Sequence, residues 1–165
     1  MKKNKIFILY ISLLLLLNSC GFQLRKPIDL DYESYSILGD SSGLSKLIHK
    51  QLSFSDIKEN KDGDADLVIE IMNNNFSKRI LSLAGNGQVG EFELVQTIEY
   101  RFKSNGKWSE PRKMEAIREY TYDPTLYNAA VSEEGYLRDS MIEQLSRSLI
   151  TEINNLKEKP THNTV

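Results

Sequence analysis

From Glu91 to Lys103 the chain alternates. Phe92, Leu94, Ile98, Tyr100 and Phe102 share one parity, while Glu91, Glu93, Thr97, Glu99, Arg101 and Lys103 share the other. Successive side chains of a strand point to opposite faces, so this run predicts a strand with one face in a core and the other in water. The whole domain must therefore supply a layer that covers one side of a sheet and leaves the other side wet.

The neighbouring segments fit that demand. Asn105-Gly106 offers the positive-φ pair that a type I′ turn requires, so the chain should fold back into a further strand ending near Tyr122, with Pro111 marking an edge or a break. Upstream, Leu67, Ile69 and Ile71 face one way and Asp66 and Glu70 the other, with extended structure continuing through Phe76 to Leu83 as one long strand with room for a bulge. Tyr32 to Leu38 is a first strand, stopped by Gly39-Asp40-Ser41-Ser42-Gly43. Leu44, Leu47, Ile48 and Leu52 then recur at helical spacing, with Ser41 or Ser42 as N-cap and Lys46 and Lys50 outside. Asp123-Pro124 opens a second helix, which Gly135 is expected to interrupt. Beyond it Leu137, Met141, Leu145, Leu149, Ile153 and Leu156 form an apolar stripe broadened by Ile142 and Ile150. The order predicts an α+β two-layer sandwich: two helices on one face of a four-stranded, largely antiparallel sheet, with some mixed pairing left open.

The N-terminus has a different purpose. Lys2, Lys3 and Lys5 precede the apolar run Ile6 to Leu17, whose 12 residues fall short of the roughly 20 that span a bilayer as a helix. Residues 1–19 read as a signal peptide. Cys20, the only cysteine in the chain, follows Leu17-Asn18-Ser19 in a pattern resembling the lipobox of bacterial lipoproteins, which makes it the expected lipidated first residue. With about 0.8 kcal/mol per buried CH₂, two or three acyl chains hold a protein at a membrane effectively permanently. Gly21 stands where an Asp would retain the protein at the inner membrane, so the periplasmic face of the outer membrane is the expected location. The remaining chain, 27% charged in a sequence of 165 residues, suits one domain over 20–156, with 157–165 a disordered tail.

Beyond the signal the chain has a net charge of −5, unevenly spread: −4 over 20–75, +3 over 76–118 and −4 over 119–165. Nucleic acid is not an expected partner. His49 and His162 are the only histidines, and neither accompanies a nucleophile elbow or a zinc-binding pair, so no enzyme, cofactor or metal site is expected. Gly85-Asn86-Gly87-Gln88-Val89-Gly90 fits a dinucleotide motif literally, but a strand follows where the pyrophosphate would need a helix. Asp62, Asp64 and Asp66 mimic the start of a calcium loop, yet Leu67 stands at its obligatory glycine and Asn73 at its bidentate glutamate. Glu133 and Glu134 read as acids at a helix start facing its dipole.

The opening Cys20-Gly21-Phe22-Gln23-Leu24-Arg25 resembles the Cys-Gly-aromatic-polar-Leu-Arg start of the LptE family of lipopolysaccharide-assembly lipoproteins. The Leu-rich helix Gly43 to Leu52, the Asn86-Gly87-Gln88 turn, and Asp123-Pro124 leading to a long helix at Tyr136 to Leu156 are similar to that family's sequence of elements. The resemblance implies a non-enzymatic protein that plugs and assists assembly of the LptD β-barrel and binds lipopolysaccharide on its way to the outer leaflet. For that ligand, residues 101 to 118 place Arg101, Lys103, Lys107, Arg112, Lys113 and Arg118 around Trp108 against only Glu110 and Glu115, a cationic hairpin suited to lipid A phosphates. The alternative is a lipid-anchored periplasmic adaptor binding peptidoglycan or another envelope protein.

Overall fold

The structure, a computed structural model, describes residues 30–39, 43–61 and 64–155. The signal, Cys20, the Ser41/Ser42 cap, Asp62, Leu156 and the tail lie outside the described residues. The chain runs β1 (Ser34–Gly39), α1 (Gly43–Leu52), β2 (Lys58–Glu59), β3 (Leu67–Leu83), β4 (Val89–Ser104), β5 (Lys107–Trp108) and β6 (Arg112–Thr121). A 3₁₀ turn (Pro124–Leu126) then leads into α2 (Tyr127–Asn155).

The architecture is the expected α+β sandwich with two corrections. Its sheet has six strands in the order β2-β1-β3-β4-β5, with β6 also on β4, and it is mixed: β1 pairs parallel with both β2 and β3, while β3-β4, β4-β5 and β4-β6 are antiparallel. The parallel pair follows from connectivity. α1 carries the chain from the end of β1 back to the level of its start, where β2 and then β3 begin on either side of it, and such a crossover returns the chain in the same direction. The extra strands are short. One is the two-residue β2, and the other arises because Ser109–Pro111 breaks the expected last strand into β5 and β6.

Several local expectations are realised. Asn105 (φ 51°) and Gly106 (φ 74°) both take positive φ in the turn between β4 and β5. Asp123 caps the 3₁₀ turn, its Oδ1 accepting from the Thr125 amide at 2.8 Å. α2 buries Met141, Leu145, Leu149, Ile150 and Ile153 against Leu94, Ile98 and Tyr100 of β4, and α1 buries Leu44, Ile48 and Leu52. Each such aliphatic side chain removed from water contributes about 1.5–3 kcal/mol. Gly135 does not interrupt α2, which is continuous over its whole length.

One irregularity governs the rest. The pairing of β3 with β4 shifts between Ile71 and Asn73, a bulge at Met72. Leu67, Ile69 and Ile71 face the helices before it, and Asn74, Phe76, Lys78 and Ile80 after it, because an extra residue reverses which parity points inward. β1 ends where this bulge begins: Gly39 pairs with Ile71 at φ +92°, and a Cβ there would lie 2.1 Å from the Ile71 carbonyl oxygen. Beyond that point β3 continues with β4 as its only partner among the described strands.

Candidate functional site

The cationic hairpin divides between the two faces of the sheet. On β4, Tyr100 and Phe102 point to the helices, so Arg101 and Lys103 point to the helix-free face, where Arg101 pairs with Glu70 of β3 and stacks on the Trp108 ring at 4.3 Å. Trp108, 42% exposed, lies opposite Lys103, whereas Lys107 lies opposite Ser104 and takes the other parity. Lys113 is also on the helix-free face, bound to Glu115 at 2.8 Å. Arg112 and Arg118 share the parity of Met114, Ala116 and Tyr120 and face α2. Arg112 binds Glu152 and lies over Phe102, and Arg118 binds Gln144. Thus Arg101, Lys103, Trp108 and Lys113 come together, while Arg112, Arg118 and Lys107 do not join them.

Two ion pairs cross neighbouring strands on the helix-free face, Glu70 with Arg101 and Arg79 with Glu93, while on β6 Glu115 pairs with Lys113 two residues away and accepts from the Thr97 hydroxyl of β4. Hydrogen bonds from Lys113 and Thr97 hold the Glu115 carboxyl below its ordinary value. Between these pairs stand the exposed apolar residues Leu38, Met72 and Ile117.

The helix side holds features that sequence reasoning missed. Past the bulge, a channel separates β3 from the first turns of α2. One part, about 390 Å³, is walled by Phe92, Tyr120, Tyr122, Tyr127 and Val131 with Lys78 and Glu134 at its floor. Burial alone would lower the Lys78 ammonium, yet hydrogen bonds to Glu134 (2.6 Å) and Tyr120 outweigh it and hold the group above its ordinary value. Burial would raise the Glu134 carboxyl, but hydrogen bonds from Lys78 and from the Tyr120 hydroxyl (2.9 Å) outweigh it and keep the group low. Glu134 is therefore the partner of a strand lysine rather than a helix-start acid. A second part, about 560 Å³, shares Gly135 and Arg138 with the first and runs over Phe76 and Gln96. The legible signals were Gln96, a polar residue on the core parity of β4, and a glycine inside an otherwise apolar-striped helix.

The remaining sequence candidates have structural partners. His49 Nδ1 meets the Tyr35 hydroxyl at 2.6 Å, with burial and then the Glu59 charge raising that phenol. Asp66 Oδ2 accepts from the amides of Glu33 and Ser34 and from the Ser34 hydroxyl. Among the described residues no group of three or more His, Cys, Asp or Glu could hold a metal ion, and no helix is long and apolar enough to cross a membrane.

Solved structures with this arrangement, a mixed sheet carrying two helices on one face, include bacterial lipoproteins. The rare lipoprotein B of Shewanella oneidensis superposes with a TM-score of 0.65 at 25% identity, covering 76% of this chain and 99% of that one. Lipoprotein B of Nitrosomonas europaea gives 0.70 at 24% identity over 83% and 92%. A minor lipoprotein of Acinetobacter baumannii gives 0.64 at 22% over 80% and 100%. No curated protein sequence matches the chain. The family model of LptE, lipopolysaccharide-assembly, matches residues 28–153, and the chain belongs to that family. Its role lies in lipopolysaccharide assembly.

Proposed function

We propose that this chain is an outer-membrane lipoprotein that plugs and assists assembly of an LptD-type β-barrel and binds lipopolysaccharide during its transport to the outer leaflet. Residues 1–19 are its signal, acylated Cys20 its anchor at the periplasmic face, 20–156 its working domain and 157–165 its tail. The observation that carries the plug reading is the helix-free face. A barrel lumen is polar, and a sheet face that carries charged side chains, several of them already paired with one another, suits polar walls. Arg101, Lys103, Trp108 and Lys113 on that face are the hairpin's contribution to lipopolysaccharide contact. Lys107, Arg112 and Arg118 face the other side of the sheet, where Arg112 and Arg118 hold Glu152 and Gln144 of α2.

A pull-down of the full chain from detergent-solubilised outer membrane tests this. Recovery of one very large β-barrel at equal stoichiometry is the expected result. Recovery of cell-wall fragments without a barrel would replace the plug with the adaptor.

A further inference from the structure

Past the bulge the sheet is one strand short. β1 fills the outer edge of β3 only as far as Gly39 opposite Ile71, while β3 and β4 run on together, their register unbroken from Asn73 with Glu99 to Ile80 with Phe92. Among the described strands nothing pairs with β3 on that outer edge. The outward N–H and C=O groups from Asn75 to Ile80 therefore form a template as long as a typical strand of about 5–6 residues. The other outer edge is defended. β6 begins directly after Pro111 and carries Lys113, Glu115 and Glu119, the proline and the charges with which natural sheets discourage edge pairing. Asn75-Phe76-Ser77-Lys78-Arg79-Ile80 has no proline and no acid, and its two cations turn to partners within the chain, Lys78 to Glu134 and Arg79 to Glu93. Beside this edge, on the helix side, there is room. Phe76 is half-buried and Ile80 56% exposed, and the channel, in two parts of about 390 and 560 Å³, separates them from Tyr127, Val131 and Ile142 of α2. A strand laid on β3 in line with β1 would lie about 4.8 Å from it, and every second side chain would enter that channel.

We propose that the β3 edge from Asn75 to Ile80 pairs, backbone to backbone, with an extended segment of the barrel protein, which completes the sheet where β1 leaves it. The proposal rests on the plug reading above and names for it the means of attachment. The edge also sets the chemistry of the segment. Residues beside Phe76 and Ile80 are apolar, and those beside Lys78 and Arg79 are neutral or acidic, because like charges directly opposite each other destabilise a strand pair. Main-chain hydrogen bonds supply the affinity of such an added strand, and the channel, taking alternate side chains, supplies the specificity. Both described ends of the chain stand at the opposite end of the sheet, where Tyr32 meets Ser104 and Glu152 binds Arg112, which favours a segment from another chain.

The test compares amide hydrogen exchange in the full chain alone and in its complex with the co-expressed barrel. In the free chain alternate amides from Asn75 to Ile80 should exchange fast, because an antiparallel strand turns every second residue's N–H away from a single partner. In the complex those amides should slow by about tenfold or more, with no comparable slowing at the outward amides of β6. Two variants then compete with the wild type for one barrel. Gly135→Leu puts a side chain where a Cβ now meets nothing within 4 Å, and Ser77→Pro removes an N–H from the strand. Each should be recovered on the barrel about tenfold less than the wild type. Should Ser77→Pro melt far below the wild type, its amide belongs to the β4 ladder, and Gly135→Leu with the exchange data decides. If the complex forms but the edge amides exchange as in the free chain, or slow no more than those of β6, the strand proposal is overturned while the plug reading stands. Equal recovery of both variants overturns it in the same way. If no barrel is recovered with the wild type, both fall. Edge amides already slow in the chain alone would also overturn the proposal, the occupant then being a second copy if the mass is that of a dimer and a segment of this chain if it is that of a monomer.

Discussion

Replacing Gly39 by alanine tests the parallel pairing that connectivity imposes on β1. Gly39 sits at φ +92°, a region that costs an L-residue about 1–2 kcal/mol. Its new methyl would start 2.1 Å from the Ile71 carbonyl oxygen, well inside contact distance, so either β1 or the bulged turn of β3 must move by about 1 Å. Overpacking of that kind adds about 1–3 kcal/mol, for a total of about 2–5 kcal/mol out of the 5–15 kcal/mol typical of a domain. Two companion variants separate the contributions. Gly87→Ala has a similar φ of +81° but open space around it, so it should lose only the conformational part. Gly135→Ala, inside α2 with nothing within 4 Å, should gain about 0.5–1 kcal/mol from helix propensity. Urea unfolding at a common m-value should order the midpoints Gly135→Ala, wild type, Gly87→Ala, Gly39→Ala, from highest to lowest. If Gly39→Ala and Gly87→Ala coincide, Gly39 is not against Ile71 and the register of β1 on β3 is wrong.

Leu145 is 2% exposed at the α2 interface, so Leu145→Asp should cost several kcal/mol and unfold the domain; an unchanged melting curve would show the helix mis-phased. Glu134 has a carboxyl held below its ordinary 4.5 and Lys78 an ammonium held above 10.5, so their pairing stabilises between those limits. The Glu134 contribution is lost as pH falls through its lowered value, and the Lys78 contribution as pH rises through its raised one. Glu134→Gln should therefore melt lower than the wild type at neutral pH, by about 1 kcal/mol or less, and the two curves should converge in acid. A gap that persists at pH 2 would mean that packing rather than charge makes the difference. Cys20→Ser should lose metabolic fatty-acid label and leave an unprocessed or released form; labelling equal to the wild type would refute the anchor.

Local periodicity made much of this protein legible. The alternation in β4 announced a half-wet sheet, the spacing of Met141, Leu145 and Leu149 announced the long helix, and Asn105-Gly106 announced its turn, because each depends on residues a few positions apart. Parity on β6 could also have separated Arg112 and Arg118 from Lys113, since the first two fall in step with Met114, Ala116 and Tyr120. Other features were beyond local reading. In Asn73-Asn74-Asn75 no apolar alternation marks the point where β3 changes face, and pairing with β4 places the bulge. That shift turns Phe76 and Lys78 toward α2. It also leaves Gln96, Arg138 and Gly135, from two distant elements, around one channel. Sequence alone determined the long strands, the two helices and the overall balance of charge, since backbone geometry and composition act locally. Tertiary structure decided the direction of β1, which cations share a face, and which residues of β3, β4 and α2 line the space past the bulge. Register and strand order join residues tens of positions apart, and no local pattern encodes them.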